Sequence, residues 1–140
     1  MVEDDQDDAF FVKKAFQKAA VQTPLVFVTR GQEAIAYLNG DAPYADREKY
    51  PLPGLILLDL GLPLVDGFDV LKWVRNQPRF AQLRVVVLTG SEEKRAACYA
   101  LGADSFMVKP LASRAAADLC RSIGSSLVSQ DVNSHPALAA

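Results

Sequence analysis

The apolar positions of this chain follow two kinds of spacing that alternate along the sequence. Helical spacing, with apolar residues three and four positions apart, occurs in the segments 7–20, 31–38, 68–76, 92–101 and 112–128. Short, nearly continuous apolar runs, typical of buried strands, occur at 25–28, 55–58, 85–88 and 106–108. Strands that alternate with helical crossovers predict an α/β fold, a parallel sheet with helices on both faces.

Length and charge narrow the class of protein. A chain of 140 residues fits one domain, and we expect that domain at 1–128 and a disordered tail at 129–140. Lys and Arg number 15 against 17 Asp and Glu, which excludes a basic nucleic-acid-binding protein as the default. The longest apolar run, Ala96–Leu101, has six residues, whereas a membrane span needs about 20.

The cysteines and the histidine limit the kinds of metal site and catalytic site that the chain can form. Cys98 and Cys120 form no C-x-x-C motif, so we interpret them as reduced helix residues of a cytoplasmic protein. The single histidine, His135, lies in the predicted tail. A metal site with several histidines and a Ser–His or Cys–His catalytic pair are therefore disfavoured.

Polar residues follow the apolar runs where strands are expected to end. Asp59, Thr89 and Lys109 each come directly after a run, and Glu3–Asp4 follows what remains of a first strand. Ligands of an open parallel sheet bind beyond the carboxyl ends of its strands, so these side chains are predicted to meet at one rim. Asp59 alone could be a helix cap, but the four elements together indicate a site.

Carboxylates gathered at one rim repel each other, and a hard divalent cation relieves that repulsion. Glu3, Asp4 and Asp59, with the backbone carbonyl of Gly61, suit Mg²⁺, which takes about six oxygen ligands. A carboxylate can also form an acyl phosphate, which makes Asp59 the candidate nucleophile. We expect the Lys109 ammonium to pair with the phosphoryl oxygens.

An ordered set of motifs resembles the receiver domain of two-component response regulators, a chemotaxis-type, flavodoxin-like fold. The matching pieces are Val2-Glu3-Asp4-Asp5, the segment from Leu57 to Pro63, Asp66-Gly67, the segment from Val86 to Gly90, the segment from Ala100 to Asp104, and Val108-Lys109-Pro110. The resemblance covers about residues 2–127 and implies a doubly wound five-stranded sheet of order 2-1-3-4-5.

The resemblance also implies roles for single residues. Asp59 would accept a phosphoryl group from the histidine of a sensor kinase or phosphotransfer protein, with Mg²⁺ held by Glu3 and Asp4. Thr89 and Lys109 would bind the phosphoryl group, and a cis Lys109–Pro110 peptide would direct the lysine. Phe106 occupies the position of the family's switch aromatic, although an ordinary half-buried strand residue remains the alternative.

One segment resembles a particular subgroup of the receiver family. The polar loop at 44–53 looks like the loop of single-domain, phytochrome-associated receivers. This resemblance implies a cytoplasmic phosphoacceptor rather than a conventional enzyme, with a kinase of phytochrome type as its donor. An unidentified downstream protein would supply the output, and the resemblance is compatible with a homodimer through the last helix and strand, where many receivers pair. Nucleic acid and membrane are not expected partners.

The start of the chain departs from the family pattern. Only Met1 and Val2 precede the acidic pair Glu3–Asp4. Members of the family usually have about four apolar strand residues before this pair. The first strand is therefore predicted to be truncated, leaving ladder groups of both neighbouring strands unpaired. We interpret this as a truncated or misplaced start.

Two rival functions remain at this point. A degenerate receiver that serves as a docking module is favoured by the short first strand and disfavoured by the intact Asp59, Thr89 and Lys109. An aspartate-based phosphohydrolase is disfavoured because Gly61 stands where such enzymes carry a second acid.

Overall fold

The computed structural model describes residues 1–20 and 24–128. Its strands are β1 (Leu55–Leu58), β2 (Arg84–Thr89) and β3 (Ser105–Val108). Its α-helices are α1 (Gln6–Lys18), α2 (Gly31–Asn39), α3 (Gly67–Arg75), α4 (Arg95–Ala100) and α5 (Ser113–Val128), with short 3₁₀ turns at Pro78–Phe80 and Glu92–Lys94. The predicted tail at 129–140, with His135, lies outside the described residues.

The strands form a parallel sheet in the order β1-β2-β3. Leu57 pairs with Val86, and Val87 pairs with Phe106. All four residues of β1 are buried, as are five of the six in β2, because helices cover both faces of a parallel sheet. The predicted α/β architecture is confirmed. Within the part of the chain that the structure describes, no helix is long and apolar enough to cross a membrane.

The predicted count of five strands is not confirmed. The described residues contain a three-stranded sheet, and the first two expected strands are reduced to isolated bridges that join Val2 to Val28 and to Leu58. Val2 thus lies between the positions of strand two and β1, as the order 2-1-3-4-5 requires. The physical reason is length, since Asp5 already caps α1 and few residues remain for a ladder.

The expectation of unpaired ladder groups is wrong for these bridges. The Val2 amide donates to the Leu57 carbonyl at 3.0 Å, and the Asp59 amide donates to the Val2 carbonyl at 3.1 Å. On the other side, the Val28 amide donates to the Met1 carbonyl at 2.9 Å and the Glu3 amide donates to the Val28 carbonyl at 3.0 Å. Residues 1–3 therefore join the two halves of the molecule and carry Glu3 into the interior.

Helix α1 begins with a side-chain cap. The Asp5 Oδ1 atom accepts hydrogen bonds from the backbone amides of Asp7 at 2.8 Å and Asp8 at 3.0 Å. These amides have no partner within the helix, so the cap satisfies them and fixes where the first turn begins. The cap fixes where the backbone of Asp8 lies, and the side chain of Asp8 belongs to the candidate site described below.

The loop at 41–54 folds onto α2, and we call it the tyrosine loop. The rings of Tyr44 and Tyr50 pack on that of Tyr37 from α2, with centroids 5.0 and 6.0 Å away. The Arg47 guanidinium donates to the carbonyls of Tyr37 at 2.8 Å and Leu38 at 2.9 Å. These carbonyls belong to the last turn of α2, where a positive charge is favoured.

Candidate functional site

Three carboxyl groups meet beyond the carboxyl end of the sheet. Asp59 follows β1, and Glu3 and Asp4 follow the Val2 bridges. One carboxylate oxygen from each lies within 4.8 Å of the others. Glu3 and Asp59 are buried, whereas Asp4 is exposed. An all-oxygen donor set of this kind fits a hard divalent cation such as Mg²⁺, which keeps several waters on its open side.

Lys109 brings one positive charge to the three acids. Its Nζ atom lies 2.6 Å from Glu3 Oε2 and 3.4 Å from Asp59 Oδ1. The contact with Glu3 is a charge-assisted hydrogen bond, and the contact with Asp59 is an ion pair without hydrogen-bond length. The Lys109–Pro110 peptide bond is cis. One ammonium therefore balances several carboxylates, which leaves the rim with excess negative charge.

Asp8 is a member of this cluster that the sequence analysis missed. Its Oδ2 atom lies 2.8 Å from Lys109 Nζ, so the ammonium contacts α1 as well as the sheet rim. In the sequence, Asp8 is one of five acids in the first eight residues. The signal that separates it from the others is its position three residues after the cap residue Asp5.

Burial gives Glu3 unusual acid–base behaviour. Desolvation, reinforced by the negative charge of Asp59, raises the pKa of Glu3 to about 7, although its hydrogen bond to Lys109 opposes that shift. Burial works against the charge of Lys109, but its hydrogen bonds to Asp8 and Glu3 outweigh it and raise the lysine pKa above its ordinary value. Lys109 therefore stays charged near neutral pH while Glu3 titrates there.

The backbone around Asp59 is tightly constrained. The Leu60 amide donates to Asp59 Oδ1 at 2.9 Å, which orients the carboxylate. A Cβ atom on Gly67 would lie 2.2 Å from the Asp59 carbonyl oxygen, so only glycine fits where α3 begins against β1. A Cβ on the exposed Gly61 would meet Asp59 Oδ2 at 3.7 Å, an ordinary contact. Gly61 thus leaves the approach to that oxygen open.

Thr89 ends β2 next to Lys109. Its side chain is buried, and its Oγ1 atom accepts a hydrogen bond from the Ser91 amide at 3.4 Å. Its carbonyl accepts a hydrogen bond from the Lys109 amide at 2.8 Å. The backbone thus joins the ends of β2 and β3.

Phe106 is buried in β3, and its ring is covered from outside by a cation. It is 4% exposed, and the Arg95 guanidinium carbon lies 4.8 Å from its ring centroid. Arg95 in turn donates to Glu92 at 2.6 Å. The inward position of Phe106 is compatible with both a switch aromatic and a structural strand residue, the two alternatives that the sequence left open.

Comparisons with known proteins extend this picture. The family model described as the response regulator receiver domain matches residues 1–121. A curated relative, the response regulator Rcp1 of Synechocystis sp., is 34% identical over 111 residues, which are 78% of this chain and 74% of that protein.

Two solved structures are similar over nearly the whole chain. The phosphorylated cyanobacterial phytochrome response regulator RcpA is 31% identical, with a TM-score of 0.73 and coverage of 94% of this chain and 93% of that one. The Mn²⁺-bound form of the response regulator Rcp1 is 31% identical, with a TM-score of 0.70 and coverage of 97% and 96%. One of these relatives is thus seen phosphorylated and the other with a divalent metal.

Proposed function

We propose, because this chain belongs to the response regulator receiver-domain family, that it accepts a phosphoryl group on the Asp59 carboxylate. The family acts in two-component signalling, in which response regulators receive phosphoryl groups from histidine kinases. The observation that carries the proposal is the contact of one ammonium, Lys109, with both buried acids of the rim, Glu3 and Asp59.

The transfer forms one bond and breaks one bond. An oxygen of Asp59 bonds to phosphorus while the bond from phosphorus to the donor histidine nitrogen breaks, and the product is an acyl phosphate. The Leu60 amide binds one oxygen of the Asp59 carboxylate, and a Cβ atom at Gly61 would lie 3.7 Å from the other oxygen. Because glycine has no side chain, Gly61 does not obstruct a donor that approaches this second oxygen.

The divalent cation would be held by Glu3, Asp4 and Asp59, with the Gly61 carbonyl as a further ligand. When bound, Mg²⁺ supplies charge neutralisation at the phosphoryl oxygens. Lys109 then pairs with a phosphoryl oxygen, and the Thr89 hydroxyl donates to another.

Phosphorylation would be read out through Thr89 and Phe106. The Thr89 hydroxyl would move toward the phosphoryl group, and the Phe106 ring, which is already buried without it, would repack in β3 in a two-state rearrangement. The Arg95 cation on that ring links the rearrangement to the surface of α4.

The donor is proposed to be a histidine kinase or phosphotransfer protein of phytochrome type. Similarity to the cyanobacterial phytochrome regulator supports this choice, as does the predicted likeness of the loop at 44–53.

The output would pass to a separate downstream protein, and a homodimer through α5 and β3 is the proposed assembly. The receiver domain itself is proposed to comprise residues 1–128.

The test is incubation of the full chain with a small phosphodonor and Mg²⁺, followed by intact-mass measurement. One phosphoryl group should be added to the parent and none to Asp59→Asn. Asp7→Asn is the matched control, since Asp7 is an exposed acid of α1, and it should be labelled like the parent. Labelling of Asp59→Asn, or an unlabelled but folded parent, contradicts the proposal, and the second result favours a docking module.

A further inference from the structure

The Lys109 ammonium is shared unequally among three acids. Its Nζ atom makes short contacts with Glu3 at 2.6 Å and Asp8 at 2.8 Å, and a longer one with Asp59 at 3.4 Å. An ammonium has three protons to donate, and two of them are directed to acids other than the proposed phosphoacceptor.

We propose that Asp8 is a positioning residue that holds Lys109 back from Asp59 until a phosphoryl group arrives. This inference rests on the proposed function and adds a residue to it. Asp8 competes with the phosphoryl oxygens for the same ammonium. Its charge therefore weakens capture of a phosphoryl group at Asp59.

The backbone position of Asp8 is fixed independently of Lys109. The cap residue Asp5 accepts the Asp8 amide at 3.0 Å, and the Asp5 carbonyl accepts the Ala9 amide at 3.0 Å. Asp8 is thus held in the first turn of a capped 13-residue helix. The helix thus fixes the backbone from which the Asp8 carboxylate extends to Lys109.

The surroundings of the pair give Lys109 room to move. Asp8 and Lys109 both line a cavity of about 230 Å³, whose apolar wall includes Phe11, Val12 and Leu111. The Lys109 side chain is 16% exposed and that of Asp8 is 38% exposed. An ion pair against an apolar wall is less screened than a surface pair, so Asp8 is a real competitor for the ammonium.

The experiment measures beryllofluoride affinity by calorimetry in Mg²⁺, using the full chain and the variants Asp8→Asn, Asp8→Glu and Asp7→Asn. Beryllofluoride serves as the phosphoryl mimic. Asp8→Asn should bind it about fivefold more tightly, an effect of the size of a partly exposed ion pair. Asp8→Glu, which retains the carboxylate, should return toward the parent affinity. Asp7→Asn removes a neighbouring charge from the same helix turn and should change affinity by less than twofold.

A second arm asks whether the effect passes through Lys109. In a Lys109→Met background, Asp8→Asn should have no more effect than Asp7→Asn, because the competing contact is already absent. A purely structural or long-range effect of Asp8 would persist in that background. Asp8→Ser serves the same comparison if Asp8→Asn does not fold.

The outcomes separate this inference from the proposed function. Tighter binding that disappears without Lys109 supports the inference. Equal effects of Asp7→Asn and Asp8→Asn, an effect that survives Lys109→Met, or weaker binding by Asp8→Asn overturns it while leaving phosphorylation of Asp59 intact. A folded parent that binds no beryllofluoride overturns the proposed function, and the inference with it.

Discussion

The site at the carboxyl end of the sheet, which we call the acidic rim, and the tyrosine loop each contain a half-buried cation. The two regions differ in the groups that surround this cation. In the tyrosine loop, Arg47 donates hydrogen bonds to three neutral backbone carbonyls of the same part of the fold. At the rim, Lys109 contacts three carboxyl groups, and Asp4 adds a fourth to the cluster. The cation of the loop is held by neutral acceptors, whereas the rim has an excess of carboxylates that a further cation can neutralise.

The two regions also differ in how they respond to pH. Burial and a hydrogen bond to Glu33 raise the pKa of the Tyr44 phenol to about 12, far from neutrality. Burial raises the pKa of Glu3 to about 7. The Tyr44 phenol therefore keeps its proton near neutral pH, whereas the Glu3 carboxyl exchanges its proton there.

The largest expected effect concerns the glycines that support the two regions. Gly67→Ala places a Cβ against the backbone of Asp59, at 2.2 Å from its carbonyl oxygen, so we expect a loss of about 4 kcal/mol in the free energy of unfolding. Gly40→Ala at the end of α2 faces the flexible end of Arg47 at 3.0 Å with φ at +77°, and should cost about 1 kcal/mol. Chemical denaturation of both variants measures the difference, and similar losses would contradict it.

The cations themselves give the second comparison. Arg47→Met removes three hydrogen bonds to carbonyls and should cost about 2–3 kcal/mol, whether or not Mg²⁺ is present. Lys109→Met leaves buried carboxylates without a cation and should cost about 2 kcal/mol in a chelator.

Added Mg²⁺ should restore much of the stability of Lys109→Met and none of that of Arg47→Met. Thermal unfolding with and without the metal measures this contrast. An equal response of the two variants to Mg²⁺ would contradict the claim that only the rim carries excess negative charge.

The proton on Glu3 gives a third effect. Its pKa is higher in the folded chain, about 7, than its ordinary value of 4.5, so the folded state binds the proton more tightly than the unfolded state. In metal-free buffer the free energy of unfolding should therefore fall as the pH rises from about 5 to about 7, by about 2 kcal/mol. Glu3→Gln should lack this component of the pH dependence, and an identical profile for parent and variant would count against the shifted pKa.

The smallest effect lies in the tyrosine loop. Tyr44→Phe removes the hydroxyl that donates to Glu33 at 2.6 Å and should cost about 1 kcal/mol. Tyr50→Phe keeps the ring in the same aromatic cluster and serves as its control. Denaturant titration resolves the two, and an equal loss in both would contradict a specific contribution of the hydrogen bond from Tyr44 to Glu33.

The sequence predicted the elements whose signals are local and periodic. The apolar runs at 55–58 and 85–88 fall within β1 and β2, because buried parallel strands need continuous apolar side chains. The convergence of Glu3, Asp4 and Asp59 follows from parallel topology alone, since every strand of such a sheet ends at the same edge.

What the sequence did not predict depends on contacts between distant residues. The pair of Asp8 and Lys109 joins positions 101 apart, and the position of Asp8 three residues after the cap residue Asp5 does not by itself indicate Lys109 as its partner. The run at 25–28 was predicted as a strand, but in the described part of the chain it forms isolated bridges at Leu25 and Val28, because residues 1–3 offer it a short partner. The burial of Glu3 beside an exposed Asp4 likewise follows from those bridges.

The hydrogen bond from the Lys109 amide to the Thr89 carbonyl has a mechanical consequence. The two side chains proposed to contact the phosphoryl oxygens leave from strand ends that are tied together, so they reach a bound anion as a unit. Loosening the last pairing of β2 with β3 would alter the ammonium and the hydroxyl simultaneously, and substitutions there are expected to blunt both contacts without touching either residue.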